Sequence, residues 1–323
     1  MGKSTQSGRI GWIEALRTIA MLMVVVPHFI ATFCPEVFNV WQTCSMLLKG
    51  INGKHGVAIF CVLIGYFASA KRSIGFVVYS VRRYLQFAIN ILLVLVAFTF
   101  FSTIISGSQL IVLFGRLARS IVESALFMDR INPTLWCVRD LFFGSLICFV
   151  IGSYCEITDK WKKILFVLGV CSFMYFVDVW IAICILGVAL RFFQDIVLPR
   201  NLKLVLCAVF IVFIPLLYRH EESIITYFMQ GVSCCLLLYV CMYVELNVGV
   251  KRLSRFKILP IIGSASFYMF LWHTPINLLL YSMSLEWNNW SLFVISFSMS
   301  IIMSIVQYWI NIKWINPLLM KIQ

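Results

Sequence analysis

The chain has 323 residues, 62% hydrophobic and 12% charged, with a mean hydropathy of +0.97. An ordinary soluble domain is about 45–50% apolar and about 25% charged, so this composition belongs to a polytopic membrane protein. The formal net charge of +13 falls mostly in loops between apolar runs, which excludes nucleic acid as the partner and leaves membrane lipids as the surroundings.

A span needs about 20 apolar residues, and ten candidate runs are read at 13–33, 56–70, 84–104, 134–154, 164–176, 179–193, 202–218, 224–243, 259–281 and 291–310. The fifth and sixth are short, and only Asp178 divides them. Cytoplasmic loops concentrate Lys and Arg. With ten spans and both termini inside, nineteen of the twenty-six basic residues fall on the cytoplasmic side. Merging the fifth and sixth runs would move the cluster Lys251, Arg252, Arg255 and Lys257 outside. The expected fold is therefore all-α and integral to the membrane, with about ten transmembrane helices and cytoplasmic termini. It forms a single transmembrane domain over 1–323 with no soluble appended domain. No cleaved signal need be invoked, because the first apolar run leads directly into others.

The first run, Glu14-Ala-Leu-Arg17 through Pro27-His28, carries an Arg and a His in apolar surroundings. Ionisable groups inside a membrane helix are usually paired, turned to a cavity or functional. The two are eleven positions apart. At 100° and 1.5 Å per residue they share a face, about 16 Å apart along the axis. Pro27 removes a backbone donor and is expected to break the helix at His28. Two readings stand at this level: a buried His and a topological Arg, or a functional pair.

Further along, Gly65 and Ser69 have the small-xxx-small spacing that lets helices approach closely. Lys71-Arg72 and Arg82-Arg83 make the most basic cytoplasmic loop, suited to topology determination or to phosphate binding. Segment 110–128 alternates apolar residues with Arg116, Arg119 and Glu123, the pattern of an interfacial amphipathic helix. Leu135-Trp136-Cys-Val-Arg139-Asp140 opens the fourth run with a belt Trp. Its adjacent charges point to different helix faces, so each is expected to pair with another helix or a polar ligand.

A second intramembrane histidine, in Phe270-Leu-Trp-His273-Thr-Pro275, lies near the depth assigned to His28 and also beside a proline. The two histidines suit a shared proton path or the flanks of one substrate. His55 and His220 fall at loop edges. The twelve cysteines lie mainly in apolar runs and read as small hydrophobes. They show no Cys-x-x-Cys pair and no zinc spacing, so no metal is expected. Cys34 and Cys44 share one expected external loop, where a disulfide is an open option.

Taken in order, these segments resemble the acyltransferase family 3 membrane enzymes, which include O-acetyltransferases of bacterial O-antigen and other surface glycans. The matching features are the acidic-x-x-Arg start at Glu14, the ten residues between Arg17 and His28, and the Gly-aromatic end of the second span. Arg82-Arg83, the Trp136 segment and the Leu-Trp-His273 segment complete the set. The chain departs at Ala58 and Ile64, where the family often has an acidic residue and a Ser, and at Gln86, where many members carry a further Arg.

The resemblance implies acetyl-CoA as donor, bound from the cytoplasm at Arg17, Arg82 and Arg83. It implies a lipid-linked or surface glycan as acceptor, with Glu14, Trp136, Arg139 and Asp140 at the substrate. His28 would be general base or acyl carrier, with Arg17 and His273 in the catalytic set, in a bacterial inner membrane. The rival reading from the residues is a proton-coupled secondary transporter or flippase of a glycan or lipid intermediate, against which no inverted repeat is seen. A purely structural membrane protein would leave Arg17, His28, Arg139 and His273 without a purpose.

Overall fold

The computed structural model describes residues 5–37, 53–68, 74–107, 110–128, 132–156, 159–193, 199, 201–202, 205, 223–248, 258–283 and 288–322. Among them every regular element is helical: α1 (Thr5–Phe33), α2 (Gly53–Ala68), α3 (Phe76–Ile105), α4 (Leu110–Leu126), α5 (Leu135–Glu156), α6 (Lys160–Val177), α7 (Val179–Phe193), α8 (Ile224–Val248), α9 (Ile258–Ser282) and α10 (Asn289–Ile310). A π-helical turn, Asn311–Ile315, joins α10 to the short α11 (Asn316–Met320).

Among the described residues, four stretches are long and apolar enough to cross a membrane: Ile13–Phe33, Phe76–Ile105, Leu135–Cys155 and Asn289–Met320. Three shorter apolar helices accompany them, at Gly53–Ala68, Val179–Phe192 and Ile224–Tyr239. This is the architecture of an all-helical, multi-pass membrane protein. The expected seventh span, 202–218, lies outside the described residues apart from 202 and 205. Helix α3 begins eight residues before the run read from sequence. Apolarity alone stops at Arg82-Arg83, whereas Arg is a good helix former and the helix continues through both. Helix α1 likewise persists through Pro27.

The chain divides into two compact units: unit 1 (Met1–Val24, Trp41–Phe76, Phe143–Gly263) and unit 2 (Val25–Val40, Val77–Phe142, Ser264–Gln323).

In unit 1, Asp178 separates α6 from α7 as an extended residue with φ −156°. Its carboxylate then accepts the amides of Trp180 (2.8 Å) and Ile181 (3.1 Å), capping α7. The two helices fold back on each other, with Cys171 Sγ meeting the Ala182 carbonyl at 3.7 Å. The division at Asp178 is thus a real hairpin.

Helices α2, α7 and α8 run in one direction. Val62 and Tyr66 of α2 lie level with Gly187 and Arg191 of α7, and Trp180 and Ile183 of α7 lie level with Tyr227 and Gly231 of α8. The crossing of α2 and α7 is backbone to backbone. A Cβ on Gly65 would fall on the Cys184 carbonyl, and one on Gly187 would fall on that of Val62. Ser69, its small-xxx-small companion, lies outside the described residues. Gly65→Val and Gly187→Val are each expected to destabilise unit 1 by about 1–3 kcal/mol or more, since the obstruction is backbone. The check is a fall in detergent-solubilised, monodisperse protein and in its melting temperature.

In unit 2, α4 turns its polar strip inward onto α3. Ser120 bonds Thr99 at 2.8 Å, Arg116 reaches Thr103 at 3.4 Å, and Arg119 holds the buried Glu123 at 2.6 Å. Ile111, Phe114 and Ile121 point away, more than half exposed. That outward apolar face suits lipid. The helix ends at Phe127, whose φ of +51° is a conformation that usually takes glycine. An aromatic cluster with Tyr84, Phe87 and Phe142 holds its ring.

Helix α10 buries a polar stripe of Ser296, Ser300, Ser304 and Gln307, continued by Asn311. Such small and amide side chains hold membrane helices together. The described cysteines are free thiols, Cys34 among them; Cys44 lies outside the described residues.

Candidate functional site

The two histidines that the sequence sets in apolar runs beside prolines meet. His28 of α1 and His273 of α9 both belong to unit 2, and Nδ1 of His28 lies 2.9 Å from Nε2 of His273. Their ring centres are 5.1 Å apart and their planes 11° from parallel. The centre distance is the N–N distance plus one ring radius on each side, so the rings lie edge to edge in nearly one plane, as an in-line hydrogen bond requires.

The hydrogens of this pair follow from its neighbours. His273 Nδ1 lies 2.7 Å from the Phe270 carbonyl, which only accepts, so Nδ1 carries the hydrogen. In the neutral ring Nε2 is then the acceptor. It receives Nδ1–H of His28, and the Thr274 hydroxyl approaches it at 3.2 Å. His28 therefore keeps the lone pair of Nε2 for an outside group. Burial separates the roles: His273 is 0% exposed, whereas His28 is exposed. A buried ring that orients an accessible ring is the general logic of a base and its orienter.

Several side chains fix this part of α9. Trp272 Nε1 donates to Gln307 Oε1 at 2.5 Å. The Gln307 amide donates to Asn90 Oδ1 at 2.9 Å and to the Asn90 carbonyl at 3.0 Å. Asn90 and Asn311 are bonded amide to amide. All four side chains are buried, so α3, α9, α10 and the start of the π turn share one satisfied network. Gln307→Leu would strip the buried Trp272 N–H and Asn90 amide of a partner at about 1–3 kcal/mol each. We expect a lowered melting temperature, measured in detergent.

The remaining site residues are distributed as follows. Arg17 Nη1 holds Glu14 Oε1 at 2.9 Å, with the guanidinium 5.8 Å from the Phe67 ring centre, all in unit 1. Glu14 is buried, and its backbone packs where Gly263 lacks a side chain. Arg82 donates to the carbonyls of Met320 (3.1 Å) and Ile322 (3.0 Å from Nε), engaging the C-terminal end of α11. Arg83 bonds Gln86 at 3.2 Å and lies 4.6 Å over Phe87. Gln86 thus serves Arg83 at the position where a further Arg was compared.

Trp136, Arg139 and Asp140 stand at the start of α5. Arg139 Nε reaches Asp140 Oδ1 at 3.4 Å, contrary to the expectation that adjacent charges would turn apart. The long guanidinium arm bends back to the buried carboxylate.

Sequence reading passed over Asn132, Thr274 and the Asn90–Gln307–Asn311 network. The network had a signal, since polar residues recur every three or four positions from Ser296 to Asn311.

No curated protein and no solved structure matches the chain. A family model described as an acyltransferase domain matches residues 10–309, nearly the whole chain, and the chain accordingly belongs to acyltransferase family 3.

Proposed function

We propose that this membrane acyltransferase moves an acetyl or other acyl group from cytoplasmic acyl-CoA to a hydroxyl of a lipid-linked or surface glycan, such as O-antigen, in a bacterial inner membrane. The observation that carries this reading is the His28–His273 pair. It leaves a single imidazole nitrogen, His28 Nε2, with its lone pair directed outward in a family of acyltransferases. The nineteen inward basic residues support ten spans with cytoplasmic termini, which would bring Arg17 to the side where acyl-CoA is made.

Two schemes balance. As general base, His28 Nε2 takes the proton of the acceptor hydroxyl while its oxygen attacks the thioester carbonyl. The C–S bond breaks, and the imidazolium returns its proton to the departing CoA thiolate. As acyl carrier, Nε2 itself attacks and CoA leaves as the thiolate; the hydroxyl oxygen then takes the acyl group from the acyl-imidazolium, the C–N bond breaks, and the hydroxyl proton passes to the thiolate, which departs as the thiol. We favour the base, because His273 already accepts His28 Nδ1–H and so stabilises the imidazolium.

Arg17 is proposed to bind the CoA phosphates through charge-assisted bonds. Arg82 and Arg83 are likewise proposed as phosphate ligands, Arg82 exchanging its C-terminal carbonyls for phosphate oxygens. Glu14, Trp136, Arg139 and Asp140 are proposed at the substrate.

The test is to give membranes bearing the protein labelled acetyl-CoA and to weigh the surface glycan by mass spectrometry. Label in glycan O-acyl groups is expected. Glycan movement across the membrane without acylation would overturn the proposal in favour of the transporter.

A further inference from the structure

Helix α9 carries His273 two residues before Pro275. In an unbroken helix the residue at 275 would donate its N–H to the carbonyl of Leu271, and proline has none. The Leu271 carbonyl is fully buried, where a lost partner costs about 1–3 kcal/mol. A side chain from outside the helix supplies the bond: Asn132 Nδ2 donates to Leu271 O at 3.1 Å.

The Asn132 amide is 1% exposed and held at its other end. Oδ1 accepts both the N–H (3.1 Å) and the hydroxyl (2.6 Å) of Thr134, and the Asn132 carbonyl accepts from Leu135 N at 3.0 Å, opening α5. Both ends of this bridge lie in unit 2. The neighbouring carbonyl, Phe270 O, is the one that fixes His273 Nδ1–H.

We propose that Asn132 is a positioning residue for His273, holding the peptide turn that sets its tautomer and, through it, the free Nε2 of His28; the catalytic consequence rests on the acyl-transfer reading above. Asn132 touches no reacting atom. It replaces the backbone bond that Pro275 removes. Without it the Leu271 carbonyl tilts toward another donor, the adjoining Phe270 carbonyl moves with it, and His273 is no longer held to one hydrogen-bonding pattern.

The test uses Asn132→Ser, whose hydroxyl still caps Thr134 but is too short to reach Leu271, and the double variant Asn132→Ser/Pro275→Ala, which returns a backbone N–H to position 275. In the full-length protein in detergent or nanodiscs, Asn132→Ser is expected to lower kcat about 10²-fold through misplacement of the base. The KM for acyl-CoA should be unchanged, with a displaced pH–kcat profile. Pro275→Ala should restore the double variant to the level of Pro275→Ala alone. Wild-type kcat and pH profile in Asn132→Ser, or a loss that Pro275→Ala leaves unrepaired, overturns the proposal. So does a fall in melting temperature alone.

Nitrogen NMR of 15N-histidine-labelled protein reads the same coupling without the reaction. Wild type should show two histidines protonated at Nδ1, one of them with a hydrogen-bonded, accepting Nε2, a pattern that Asn132→Ser disturbs; an undisturbed pattern overturns the proposal even if no acyl transfer is found. If Asn132→Ser does not accumulate, the double variant is compared with Pro275→Ala alone, and any difference in pH profile overturns it.

Discussion

His28→Ala is expected to remove acyl transfer while leaving membrane insertion and folding intact. The side chain is exposed, and its ring makes one described hydrogen bond, to His273. When it is removed, His273 keeps Phe270 O on Nδ1 and the Thr274 hydroxyl near Nε2, so no buried ring is stranded. The size of the loss separates the two schemes. A general base contributes about 10²–10⁴-fold, so a residual rate above background would remain. An acyl carrier leaves none, and rapid quenching of wild type with acyl-CoA would then show the added acyl mass on His28. A wild-type rate in His28→Ala removes His28 from the mechanism.

The asymmetry between the two rings makes a second comparison informative. His273→Ala removes the acceptor of His28 Nδ1–H but leaves the reacting Nε2 of His28 in place, so its loss should be smaller than that of His28→Ala and should fall on kcat, with the KM for acyl-CoA unchanged.

The sequence revealed the histidines individually but not their relation. Intramembrane His28 and His273 stand out by cost alone, and each has a proline beside it. That one is wholly buried and the other exposed depends on how α1 and α9 pack, which no spacing within either helix encodes. The hairpin at Asp178 was legible because inverting the later loops would misplace four basic residues, and the carboxylate cap confirms the break locally. Asn132 was invisible for the opposite reason. Its importance comes from a carbonyl 139 residues away, and only the missing N–H of Pro275 hinted that some donor was needed.

The pairing of Arg139 with Asp140 was misjudged by treating both side chains as short vectors from the helix axis. An arginine is long enough to fold back across its own turn. The beginning of α3 was missed on similar grounds, since a hydropathy run measures what lipid tolerates and a helix extends as far as its backbone bonds do.

Arg17→Lys is expected to raise the KM for acyl-CoA about tenfold or more with little change in kcat. The ammonium keeps the charge but loses the fork that grips phosphate in two places, and hydrogen bonds to charged groups are worth about 1.5–3 kcal/mol. Truncation would be harder to interpret. Glu14 is 7% exposed and takes Arg17 Nη1 at 2.9 Å, and breaking a buried ion pair by removing one partner costs about 3–5 kcal/mol. Arg17 is itself about one-third exposed, so solvent screening brings that figure down, but not to zero. Loss of activity in Arg17→Gln would therefore mix a damaged fold with a missing ligand. Adding Glu14→Gln removes the stranded charge, so the double variant should recover its melting temperature yet retain the raised KM. A double variant that binds acyl-CoA as wild type does would reduce Arg17 to a topological charge and leave the phosphates to be held elsewhere.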